Sequence, residues 1–155
     1  HTDAGNLAAF LYRLQQMALN PDKLRLEWKE KGSEAYFNAS ALSDGTLRFM
    51  CLATLLLQPI LPTVILLDEP ELGLHPAAIS LLAALLESTA QRTQILVATQ
   101  SVTLINQFTP EFVWVVEREN RASVFKHLES ADMSAWLENY SLGELWEKNI
   151  LGGRP

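Results

Sequence analysis

A chain of 155 residues with 48% hydrophobic content is the size of one ordinary domain and holds enough apolar side chains for a packed core. Its formal charge of −6 excludes the overall basic excess of a stand-alone nucleic-acid binder, so any DNA contact would have to be local or come from other sequence. The single cysteine, Cys51, cannot close an intrachain disulfide; it sits in an apolar stretch, reads as a core residue and fits a reducing cytoplasm. No apolar run reaches the roughly 18 residues of a spanning helix, and the N-terminus has no secretion signal, so a soluble cytoplasmic protein without a membrane partner is expected.

Residues 6–19 place Leu7, Phe10, Leu11, Leu14 and Ala18 at helical spacing, and Asn20-Pro21-Asp22 stops that helix. A helix so soon after His1-Thr2-Asp3, with no initiator methionine, suggests a cut from something longer. Residues 24–28 and 35–38 alternate like strands, with Lys31-Gly32-Ser33 as the turn of a hairpin. Ser43 or Asp44 can cap a helix over residues 47–57, which Gln58-Pro59 ends. Residues 63–67 form a continuous apolar run ending in acids, the pattern of a parallel strand covered on both faces. A helix over 76–88, with Pro76 in its first turn, leads to a second buried strand over 94–99 and a short helix over 102–106. Residues 112–116 and 122–125 flank Glu119-Asn120-Arg121 as a hairpin at the sheet edge, and short helices follow over 133–139 and 142–146. This order predicts an α/β fold: a parallel sheet core flanked by helices, with an antiparallel edge hairpin, in a single domain.

The strand over 63–67 delivers Asp68 and Glu69 to its C-terminal end, where open α/β sheets place ligands. Asp68 is the candidate metal residue, because Mg²⁺ takes oxygen ligands and keeps much of its water. Glu69 is the candidate base for an attacking water. At the helix start, unpaired N–H groups, the Ser43 hydroxyl and the bare backbone of Gly45 suit the close approach of a phosphate.

Asp68-Glu69-Pro70 followed by Glu71-Leu72-Gly73-Leu74-His75-Pro76 resembles the Walker B motif and D-loop of ABC-type ATPases, particularly the SMC/RecF-like and bacterial AAA ATPases. Leu42-Ser43-Asp44-Gly45-Thr46 resembles their signature motif. The resemblance covers nearly the whole chain and implies the C-terminal part of a P-loop NTPase fold. It also implies that Ser43 and Gly45 contact ATP held by the opposite protomer of a homodimer, with ATP and Mg²⁺ sandwiched between. Ala98-Thr99-Gln100-Ser101 stands where the family usually reads Thr-His-Ser, so Gln100 replaces a histidine that senses the terminal phosphate. Glutamine donates a hydrogen bond but carries no proton near neutral pH, so hydrolysis is expected to be slower or differently gated. His75 is expected to shape the D-loop rather than to act chemically.

No stretch matches Gly-x-x-x-x-Gly-Lys-Ser/Thr, so the phosphate-gripping P-loop segment is expected to lie N-terminal and outside this sequence. The sequence leaves three functions open. The first is the hydrolytic part of an ATPase in DNA repair, maintenance or defence. The second is a non-catalytic dimerisation or regulatory module, and the third a metal-dependent phosphohydrolase or nuclease using Asp68 and Glu69 directly, for which a third or fourth acidic ligand is not evident.

Overall fold

In the computed structural model, residues 27–29, 32 and 34–153 are described, with Asp132 described by its backbone alone. The helix expected over 6–19 and the start of the first strand lie outside them. The first described elements are β1 (Glu27–Lys29) and β2 (Tyr36–Asn38), an antiparallel pair on which the Trp28 and Phe37 rings stack with centroids 5.0 Å apart.

Helix α1 (Asp44–Leu56) begins at Ser43, whose side chain accepts the Thr46 N–H at 3.1 Å. That bond satisfies one of the free donors of the first turn. Phe49, Leu52, Ala53 and Leu56 recur at helical spacing, and Ala53 and Leu56 are fully buried. Cys51 falls off that stripe and is exposed, so the core placement expected from its apolar neighbours is wrong: the period of the helix turns it outward. The connection out of α1 is held by the end of α2 (Pro76–Ala90). The Thr89 hydroxyl donates to Leu56 O, and Arg92 donates to the carbonyls of Gln58 and Pro59 at 2.8 and 3.0 Å.

Strands β3 (Val64–Asp68) and β4 (Gln94–Ala98) pair in parallel, in a register that sets Asp68 opposite Ala98. Ile65, Leu67, Ile95 and Val97 pack with Leu56, Leu82 and Leu86 of the helices into the central core. The other face of the pair differs from the expected double cover: Val64, Leu66 and Leu96 are 46%, 71% and 64% exposed. Among the described residues nothing covers it. Leu82 is fully buried at the centre of the helix layer, so Leu82→Ala should cost about 2–5 kcal/mol, read as a lower denaturation midpoint. A loss under about 0.5 kcal/mol, the range of surface substitutions, would contradict this packing.

Past β4, helix α3 (Val102–Ile105) is capped by Ser101 and buries Leu104 against Ile79 and Ala83. Strands β5 (Trp114–Glu119) and β6 (Ala122–His127) form an antiparallel hairpin. It is hydrogen-bonded as a sheet of its own rather than onto the edge of β3 and β4. Glu119 pairs with Ala122, so the turn is Asn120 and Arg121 alone, at φ 47° and 68°. Two left-handed residues are what a tight hairpin turn requires. Helices α4 (Ser130–Leu137) and α5 (Leu142–Glu147) close a second core of Val115, Leu128, Leu142, Leu145 and Leu151. A capping box between Ser141 and Glu144 starts α5, and the Ser141 backbone and hydroxyl hold the Glu144 carboxyl below its usual range. No described helix is long and apolar enough to cross a membrane.

Candidate active site

The parallel register of β3 and β4 brings two of the expected segments to one sheet edge. Asp68 ends β3, and the ladder runs one step further, with the Glu69 N–H donating to Ala98 O at 2.8 Å. Thr99 and Gln100 follow directly on the neighbouring strand end. Glu69 itself sits at φ 41°, the left-handed region that costs a residue with a Cβ roughly 1–2 kcal/mol. Such strain persists where surrounding structure imposes it, and functional sites are where it clusters.

The turn after Glu69 is tight. Leu72 N–H donates to Glu69 O at 3.1 Å, Leu74 N–H donates to Glu71 O at 2.9 Å, and Gly73 takes φ 79°. His75 then caps α2, its Nδ1 accepting the Ala77 N–H at 3.3 Å, with Pro76 in the first turn. The ring thus shapes the exit of the turn.

Two contacts dock the turn on α1. The Arg48 guanidinium donates to Leu72 O at 2.9 Å. Gly45 lies so close to Gly73 that a Cβ built on Gly45 would overlap the Gly73 carbonyl oxygen. The bare backbone at Gly45 therefore has a structural requirement, beyond the room for a phosphate that the sequence suggested. Ser43 remains exposed beside it, its hydroxyl engaged with Thr46.

These contacts separate two clefts. Asp68 and Glu69 line an open one of about 400 Å³ with Arg48, Leu52, Leu67, Pro70 and Leu72. Ser43, Gly45 and Thr46 line another of about 240 Å³ with Gly73, Leu74 and His75. Gln100 is exposed at the same sheet edge as the acids without lining their cleft. Asp68 and Glu69 offer carboxylate oxygens on a solvent-reached rim, a donor set that fits a hydrated Mg²⁺ better than a closed protein cage. Among the described residues no group of three or more His, Cys, Asp or Glu side chains converges as a metal site.

Sequence reasoning missed two residues here. Arg48 carried no motif, and only the rise of α1 places it over the turn. Glu71 reads as one more loop acid, yet it is 8% exposed, bonded to the Thr99 hydroxyl through Oε1 and, among the described residues, without a partner at Oε2. An unsatisfied buried polar atom costs about 1–3 kcal/mol.

The parallel strands, the acids at their ends and the docked helix start share the fold of SMC ATPase heads, as solved structures show. One, from work on the ATP-driven dimerization and DNA-stimulated activation of SMC ATPases, aligns with a TM-score of 0.57 at 20% identity, over 76% of this chain and 73% of that one. Another, the SMC head bound to the C-winged helix domain of ScpA, aligns with a TM-score of 0.56 at 21% identity, over 74% of this chain and 37% of that one. No curated protein sequence matches. Residues 6–106 match the family described as "AAA domain, putative AbiEii toxin, Type IV TA system", and the chain belongs to that family.

Proposed function

We propose that this chain supplies the Mg²⁺-binding and water-activating acids, and a trans-acting helix start, to an ATP-hydrolysing ABC-type ATPase. It works as a homodimer with ATP between the two copies. The observation that carries this reading is the split of the site: Asp68 and Glu69 line one cleft, Ser43 and Gly45 another, with the docked turn between them. Two facing copies would set the acids of one against the helix start of the other, which offers its N–H groups and partial positive charge to a phosphate.

In this scheme Asp68 holds Mg²⁺, which when bound offsets the charge of the phosphates. Glu69 takes the proton of the attacking water. Gln100 donates an amide hydrogen bond to a phosphate oxygen and takes up no proton. The backbone cradle and lysine for the β- and γ-phosphates come from residues outside these 155, which contain no such motif. The exposed thiol of Cys51 suits the cytoplasm, and among repair, maintenance and defence the family description favours defence.

The substitution Ser43→Asp tests the reading in the full-length protein. Aspartate caps a helix as well as serine, so α1 should keep its stability, while its charge repels a phosphate. Turnover should fall about 100-fold or more, the scale of losing one oriented donor at an active site. Wild-type turnover in that variant would refute the phosphate role of Ser43.

A further inference from the structure

Glu71 does not line the cleft of Asp68 and Glu69; its carboxylate is turned inward and buried at 8% exposure. Its Oε1 accepts the Thr99 hydroxyl. The same Thr99 Oγ1 accepts the Ser101 N–H at 3.0 Å, and Ser101 Oγ accepts the Leu104 N–H at 3.2 Å, capping α3. Gln100 is therefore an exposed residue between two that are pinned on either side. The other end of the connection is also fixed. Glu71 belongs to the turn that Arg48 holds through Leu72 O and that packs against Gly45 through Gly73.

We infer that Glu71 is the positioning residue for Gln100. Through Thr99 it ties the backbone of residues 99–101 to the turn of residues 69–75, so the reach of Gln100 is set by the element docked on the start of α1. Packing alone does not account for this carboxylate, because a buried oxygen unpaired among the described residues loses solvation that packing does not return. A methionine or leucine would fill the volume without that penalty. The consequence for hydrolysis rests on the role of Gln100 proposed above; the pinning itself does not.

The test compares Glu71→Met and Thr99→Val, which remove the bond, with Glu71→Gln and Thr99→Ser, which keep an acceptor and a hydroxyl. All are made in the full-length protein. Two quantities are read: amide hydrogen exchange at Ser101, with the core amides of Leu82 and Leu86 as a control for intact folding, and ATP turnover beside Gln100→Ala. The bond-breaking variants should raise exchange at Ser101 about ten-fold while the core amides stay protected. They should also lower kcat to the level of Gln100→Ala at an unchanged KM for ATP, and the conservative pair should behave as wild type. Thr99→Val removes the acceptor of the Ser101 N–H itself and serves as the positive control, so unchanged protection at Ser101 in Glu71→Met would overturn the inference, whatever the turnover. If Ser101 responds but Gln100→Ala turns over at the wild-type rate, the pinning stands and only the hydrolytic role of Gln100 falls.

Discussion

Glu69→Gln in the full-length protein is expected to lower ATP turnover by about 10²- to 10⁴-fold, the usual contribution of a positioned general base. The substitution isolates that role. Glutamine has nearly the same size and hydrogen-bonding reach, but its amide does not accept a proton from water. The backbone at residue 69 is fixed by the bond from its N–H to Ala98 O and by the turn bond to Leu72, neither of which uses the side chain. The left-handed φ of 41° burdens both residues similarly, so the fold should be retained. In the proposed scheme Asp68 and the helix start would still hold Mg²⁺ and phosphate, so ATP should accumulate unhydrolysed and the dimer should persist. Single-turnover hydrolysis and sedimentation in the presence of ATP measure both effects. Wild-type turnover would remove Glu69 from the role of base.

Gly45→Ala carries the second large effect, and it reports on stability as well as activity. The added methyl would enter the carbonyl of Gly73, and both sides of that contact are backbone, so no rotamer change relieves it. The turn and the start of α1 would have to part, straining the bond from Arg48 to Leu72 O. A loss of about 1–3 kcal/mol is expected, the scale of overpacking, with turnover lost because the turn also carries Glu69 and Glu71. Gly73→Ala is the control. Nothing lies within 4 Å of a Cβ there, so only the left-handed backbone opposes it, at roughly 1–2 kcal/mol. Chemical denaturation measures the loss in each variant. Full stability in Gly45→Ala would mean that its glycine serves only the approach of a ligand.

Much of this architecture could be read from local pattern. Ser43 as a cap, the strand into Asp68 and Glu69, Pro76 opening α2 and the short helix after Ser101 each follow from residues within one or two turns of one another. What escaped depends on distant partners. Arg48 meets Leu72 across 24 positions and Glu71 meets Thr99 across 28, and neither partner announces the other. Glycine at position 45 suited a phosphate site equally well, and only the approach of Gly73 shows its second reason. Cys51 is exposed despite its apolar neighbours because the phase of the helix, and not the local composition, decides which side chains face the core. Among the described residues the double cover expected for β3 is met on one face, because an apolar run states that a strand is to be buried and not which element buries it.

The central claim, an ATP site shared between two copies, is tested most directly by mixing the two inactive variants Ser43→Asp and Glu69→Gln. In a mixed dimer, one site combines the intact Glu69 of one chain with the intact Ser43 of the other, and the second site carries both lesions. Random exchange of subunits should therefore restore about a quarter of wild-type turnover, half the dimers each having one good site. A mixture as inactive as its components, with exchange of subunits confirmed, would contradict the shared site.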